Sequence, residues 1–259
     1  MQFRIALAFL TLATLTTSIQ AENWPRFRGP NADGLHTSAK LPTQWSEEEN
    51  VVWKVATPGK GHSSPVIWND QIWMGTALKE GHDLHANCFR RDGKLIHNLK
   101  LFHIEKLEAS NTLNSFASPT PVIEEGTVYL YFGTYGVAAI DTTSGKIKWR
   151  RQDINLNHQE GPGSSPILYK DLLIFHCDGY DVQHITALNI FGQGSPPLHC
   201  AHGKACQIKI IACVHARHFR SFSANQRAAI LHTAFGYARD DPSCGINIQL
   251  YGSKIIKEK

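Results

Sequence analysis

The chain reads as an all-β repeat fold, and three observations predict it. Short runs rich in aromatic and β-branched residues, bounded by Gly, Asn and Asp, recur between residues 51 and 189. No apolar stripe of helical period and useful length interrupts them. A Ser/Thr-Pro-aliphatic phrase opens each of three successive units. The composition agrees. Of 259 residues 42% are hydrophobic, with six Trp and 12 Phe, enough for one large core or two small ones and too much for a disordered chain. Six Cys in this length do not make a disulfide-stapled miniprotein. No internal run of about 18 apolar residues suits a polytopic membrane protein.

Residues 1–21 read as a secretory signal peptide. Arg4 supplies the positive start, Ile5 to Leu15 is an apolar stretch too short to cross a bilayer, and Ala21 is a small residue before polar Glu22-Asn23. The chain is therefore expected to be exported, to the periplasm or the cell exterior, with no transmembrane segment after signal removal. Residues 22–50 form an N-terminal extension. The units then begin at Ser63-Ser64-Pro65-Val66-Ile67, Ala117-Ser118-Pro119-Thr120-Pro121-Val122-Ile123 and Ser164-Ser165-Pro166-Ile167-Leu168. Pro65, Pro121 and Pro166 stand 56 and 45 residues apart. That interval is close to one four-stranded propeller blade, roughly 40–50 residues. Pro at a strand entrance removes no ladder hydrogen bond. Each Pro is followed by a strand, a polar turn and a second strand: Trp68 to Trp73, Glu124 to Phe132, and Lys170 to Phe175. About three blades of a partial β-propeller are thus expected over residues 51–189, where closed propellers use about four to eight. An incomplete ring leaves sheet edges without partners, so marginal stability and aggregation are expected.

The second unit closes with Ala138-Ala139-Ile140-Asp141-Thr142-Thr143-Ser144-Gly145-Lys146-Ile147-Lys148-Trp149, a strand, a tight polar turn and a return strand. The first unit has a weaker copy without Trp, Arg91-Asp92-Gly93-Lys94-Leu95, and the third begins one at Ala187-Leu188-Asn189. This pattern resembles the repeat of the pyrroloquinoline-quinone-like (PQQ-like) β-propeller family. The phrases Asn23 to Pro30, Pro58 to Pro65, Tyr131 to Gly136, Gly161 to Pro166 and Cys177 to Gln183 are similar to those of exported, planctomycete-type members. The resemblance covers residues 22–189 and is specific in combination.

After Asn189 the pattern stops. Residues 190–259 hold four of the six Cys (Cys200, Cys206, Cys213, Cys244), and nine Lys/Arg against three Asp/Glu give them +6, against −2 for the rest and +4 overall. His199, His202, His215 and His218 lie among these Cys, but the Cys spacing is not that of a zinc knuckle, and no metal site is expected. The scattered charges lack the runs and interleaved aromatics of a nucleic-acid tail, and no nucleic-acid partner is expected. The preferred reading is that this tail is out of frame. Phe191-Gly192-Gln193-Gly194-Ser195, back-translated and read one nucleotide later, allows Ser-Gly-Lys-Val-Ala, the missing turn.

The resemblance implies an exported binding or scaffold module that is not catalytic, with no cofactor and an unknown polar ligand, glycan or protein partner. It also leaves open a quinone-dependent oxidoreductase or an envelope protein-assembly factor. The oxidoreductase reading implies bound PQQ and calcium, a catalytic Asp and an adjacent-Cys disulfide. No Cys-Cys pair or acidic cluster supports it here, and a large hard cation wants about six to eight oxygens. Its best oxygen-rich group is Asp178, Asp181 and Gln183, which also suits a plain turn. His62, Asn114 and His158 precede strand entrances in successive units. They either form a polar ring on one face or cap strand ends and satisfy backbone groups. No catalytic residue is assigned. Cys88 and Cys177, more than a blade apart, are expected to be separate core thiols.

Overall fold

A computed structural model describes residues 22–36, 41–158, 160–193 and 209–212. Among the described residues three sheets follow one another along the chain. The first contains β1 (Val66–Trp68), β2 (Gln71–Leu78), β3 (Asp83–Arg90) and β4 (Leu95–His103) in that order, all antiparallel. The second repeats the plan with β5 (Val122–Glu124), β6 (Thr127–Tyr131), β7 (Val137–Asp141) and β8 (Ile147–Arg151). The third has β9 (Ile167–Tyr169), β10 (Leu172–Asp178) and β11 (Gln183–Asn189), with β12 (Lys209–Ala212) beside β11. Among the described residues the only helices are two short 3-10 turns, Lys79–Gly81 and Gly133–Tyr135. The fold is an all-β partial propeller of three blades, as the repeats predict. The signal segment, most of the tail and its Cys and His residues lie outside the described residues.

Period-two alternation decides what each strand buries. In β6 and the residue after it, Val128, Leu130 and Phe132 join Trp73, Leu84, Leu101 and Phe102 of the first sheet in one core cluster. Tyr129 and Tyr131 point the other way, into a second cluster with Leu173, Phe175 and Cys177 of the third sheet. In β7, Ala138 and Ile140 serve the first cluster, Val137 and Ala139 the second. The middle sheet is therefore sealed on both faces, each large apolar side chain contributing about 1.5–3 kcal/mol by leaving water. Tyr131 stacks on Phe175 with ring centroids 4.4 Å apart, and Phe102 meets Phe132 edge-on at 6.1 Å. Cys88 lies in the first cluster and Cys177 in the second; both are free, and burial pushes their thiols up to about 12 and about 11.

The turn after each third strand is closed by a backbone hydrogen bond, with one residue more in the second sheet than in the other two. Arg90 N–H donates to Lys94 O at 2.8 Å, Asp141 N–H to Lys146 O at 2.8 Å, and Asn189 N–H to Gln193 O at 3.0 Å. A left-handed glycine sits inside each, Gly93, Gly145 and Gly192, at φ of 85°, 69° and 75°. The glycine of one unit lies against an aromatic ring of the unit before. Gly192 covers Trp149, Gly145 covers His97, and Gly93 covers Trp53. The indole N–H of Trp149 donates to Ile190 O at 2.8 Å and that of Trp53 to Arg91 O at 2.6 Å. His97 thus occupies in the first unit the place that Trp149 fills in the second. The third turn survives through Gln193, four residues past the point where the sequence pattern stops matching. Only beyond it does the plan fail: β12 pairs with β11 in parallel, where β4 and β8 return antiparallel.

A further link runs between the strand entrances. Ser64 N–H donates to Thr120 Oγ1 at 3.2 Å, and Thr120 N–H to Ser165 Oγ at 3.0 Å. These are the three residues that immediately precede Pro65, Pro121 and Pro166. The recurrent hydroxyl is therefore an inter-sheet fastening.

Candidate functional site

The connections 104–121 and 152–166 run between sheets at the strand-entrance end, and their side chains hold them to each other. Asn114 Nδ2 donates to Glu160 O at 2.6 Å, and the Asn114 carbonyl oxygen accepts from Ser115 N–H at 2.8 Å and from Ser118 Oγ. Asn111 Nδ2 donates to the Glu160 carboxylate at 2.6 Å. His158 is buried. Its Nε2 accepts from Thr134 N–H at 3.0 Å, and its own N–H donates to Glu108 Oε2 at 2.7 Å. The ring fits only because Gly133, at φ of 63°, has no side chain; a Cβ there would collide with Nε2. Tyr135 packs beside the imidazole at 6.4 Å, and its hydroxyl accepts from Glu108 N–H at 3.0 Å. Burial raises the Tyr135 phenol above its ordinary range.

These loops enclose an open cleft of about 810 Å³ lined by Lys106, Leu107, Glu108, Ala109, Asn157, His158, Glu160 and Tyr180. Tyr180, 73% exposed, stands on the turn between β10 and β11, fixed by its N–H to Asn157 O at 2.8 Å. Asp181 Oδ1 braces the same wall by accepting from Asn157 N–H at 2.8 Å. Carboxylates, an ammonium group, an amide and an exposed phenol ring therefore share one concave surface. That lining suits hydrogen bonding to a polar ligand with a flat face to stack.

Among the residues singled out from sequence, His158 lines this cleft, Asn114 braces it through Glu160, and Asp181 braces it through Asn157. His62 reaches the same end of the sheets only through its backbone, donating to Ser115 Oγ at 3.2 Å, while its side chain is exposed and not part of the lining. His62, Asn114 and His158 share an end but not a register, because they stand three, seven and eight residues before their prolines. Asp178 and Gln183 are the closing pair of the β10–β11 hairpin. The sequence reading missed Lys106, Glu108, Asn157, Glu160 and Tyr180. All five lie in connections or turns where no period marks a position, and the juxtaposition exists only once the sheets are stacked.

Among the described residues no three His, Cys, Asp or Glu side chains gather as they would around a metal ion. His158 Nε2 is taken by a backbone N–H, so that nitrogen does not act as a base. Among the same residues no helix is long and apolar enough to cross a membrane.

The family described as outer membrane protein assembly factor BamB, of the PQQ-like repeat type, matches residues 51–190. No curated protein matches. Among solved structures, a europium-containing methanol dehydrogenase is 14% identical with a TM-score of 0.42, over 54% of this chain and 25% of its own. The quinohemoprotein alcohol dehydrogenase of Comamonas testosteroni is 15% identical with a TM-score of 0.41, over 67% and 26%. BamB from Moraxella catarrhalis is 17% identical with a TM-score of 0.35, over 54% and 36%. The match thus spans about a quarter to a third of the length of these proteins. With the three sheets, the repeated turn and more than half of its length matched, the chain belongs to the PQQ-like β-propeller repeat family that includes outer membrane protein assembly factor BamB.

Proposed function

We propose that the chain is an exported binding or scaffold module without catalysis of its own, taking a polar ligand such as a glycan or peptide in the cleft formed by the connections 104–121 and 152–166 and the β10–β11 turn. One observation carries this reading: the cleft is open and polar, and side chains in and beside it hold its loops to one another. Asn114, His158, Glu160 and Asp181 each bond a neighbouring loop, which stiffens the walls and leaves Tyr180 presented outward. A rigid wall with an exposed aromatic lowers the ordering cost of binding. Export rests on residues 1–21 and on the family's envelope member, and the out-of-frame tail rests on the loss of pattern after Asn189.

The test is retention of the purified chain on immobilised glycan and peptide arrays, compared with Tyr180→Ala. Binding to at least one class, weakened about tenfold or more by Tyr180→Ala with no change in melting temperature, supports the reading. Dye reduction with alcohols or sugars after addition of PQQ and calcium would sink it. A phosphatase fusion to residues 1–21 that stays inactive would remove the export half.

A further inference from the structure

We propose that His82 and His103, side by side at one end of the first sheet, bind a divalent transition-metal ion of the zinc and copper kind through their Nε2 atoms. Neither residue lines the cleft, and the proposal does not depend on what the cleft binds.

The backbone brings the two rings together. His103 is the last residue of β4 and stands opposite Asp83, the first residue of β3. His82 precedes Asp83, and its carbonyl accepts from Ile104 N–H at 2.8 Å, which carries the β3–β4 pairing one step further. The centroids of the two imidazoles are 6.4 Å apart, with the ring planes tilted by 33°. The turn that delivers His82 runs through three left-handed residues, Lys79, Glu80 and Gly81, at φ of 49°, 58° and 112°, and only the last is glycine. Such backbone persists only where its surroundings hold it. Here Gly81 lies against the Phe116 ring, where a Cβ would collide.

Each ring is anchored by its other nitrogen. His82 Nδ1 donates to Ile104 O at 2.6 Å; a carbonyl oxygen only accepts, so the proton is on Nδ1. His103 Nδ1 donates to Asp83 Oδ1 at 2.6 Å. Asp83 is buried and also accepts from Lys79 Nζ at 2.8 Å, so it is a carboxylate, and again the proton is on Nδ1. In the neutral rings both Nε2 atoms therefore carry an open lone pair. Among the described residues neither makes a hydrogen bond, and His103 Nε2 has only the Glu105 carboxylate at 3.7 Å. An imidazole held through one nitrogen by a carbonyl or carboxylate, with the other nitrogen open, is the form in which histidine ligates metals.

The dimensions suit one ion. With metal–nitrogen bonds of about 2.0–2.1 Å, two imidazoles on one metal have centroids up to about 6.4 Å apart. The pair stands at that upper limit, and the His103 side chain, 46% exposed, has room to turn inward. Two nitrogens leave the remaining positions to water, which makes an exchangeable site and not a structural centre. Glu105, 94% exposed, adds negative charge beside it, while Lys79 and Lys100 face Asp83. Imidazole donors favour copper, nickel and zinc, whereas calcium and magnesium prefer oxygen.

The experiment is a zinc titration of the full chain carrying isotope-labelled histidine nitrogens, followed by nuclear magnetic resonance, with His82→Gln and His103→Gln alongside. Each substitution identifies its own signals by their loss. Expected is that both Nε2 signals shift along one saturation curve, and that calcium and magnesium at the same concentration leave them in place. Either substitution weakens zinc binding at the remaining histidine about tenfold or more. Circular dichroism checks that both variants fold; if one does not, the other decides. Independent curves for the two rings overturn the proposal. So does a remaining histidine with unchanged zinc affinity, no shift of either ring at millimolar zinc, or an equal response to calcium.

Discussion

The second and third sheets differ in one element, and that element separates what a repeat unit carries locally from what it borrows. Both have a short entrance strand, a long middle pair and a turn closed around a left-handed glycine. In the second sheet the chain returns as β8, setting Trp149 opposite Ala139 and beneath the next turn. In the third, the described residues after Gln193 do not repeat that return, and β11 is flanked by a parallel strand. Three antiparallel strands and their turn therefore form without the fourth. The fourth strand completes the sheet edge and carries the aromatic that fastens one unit to the next.

Truncating one core ring in each cluster gives the largest expected effect and tests whether the difference in the flanking strand costs rigidity. Phe132→Ala, between two complete antiparallel sheets, is expected to cost about 3–5 kcal/mol in denaturant unfolding. Phe175→Ala, in the sheet whose third strand is flanked by parallel β12 among the described residues, is expected to cost less. Equal losses would show that the return strand adds nothing to packing of the third sheet.

The turns give the next effect. Gly145→Ala and Gly192→Ala each place a Cβ in the left-handed region and within 2.7 Å of His97 or 2.5 Å of Trp149. Each is expected to cost more than about 1 kcal/mol. A neutral Gly192→Ala would place the end of the repeat at Asn189 and favour the reading of residues 190 onward as out of frame.

The smallest effect sharpens a contrast with the first sheet, which holds the one buried carboxylate among the described residues. Asp83 accepts from Lys79 Nζ at 2.8 Å and from His103 Nδ1 at 2.6 Å, with Lys100 Nζ at 4.0 Å. Hydrogen bonds from Lys79 and then His103 hold its pKa well below the usual carboxylate range. A depressed folded-state pKa means stability that is fully present above the unfolded value, about 3.9, and lost as pH falls below it. Melting temperature should therefore fall through this acid range, and Asp83→Asn should flatten that limb. An unchanged slope would show the cluster to be thermodynamically silent.

Much of the fold was legible because its signals are local. Alternating apolar residues, Ser/Thr-Pro entrances and Gly-bearing turns set strand number and sheet order, and the Asp141–Trp149 phrase set the family. The cleft was less legible. His158 reads from sequence as one polar residue before a strand, and only its seat on Gly133 shows it to be a buried brace. Glu108, Glu160 and Tyr180 carry no pattern at all, because loop residues converge only after sheets stack. Likewise Gly192 looked like the start of foreign sequence, yet its backbone completes the third turn.

The sequence by itself determined the strands, their hairpin pairing and the faces they bury, since these follow from period-two side-chain alternation and short-range turn chemistry. Tertiary structure alone decided which aromatic lies under which turn and which loops close the cleft. Those depend on contacts between residues far apart in the chain, such as Trp149 with Ile190, 41 positions apart, and Trp53 with Arg91, 38 apart, and no local pattern encodes a distance across space.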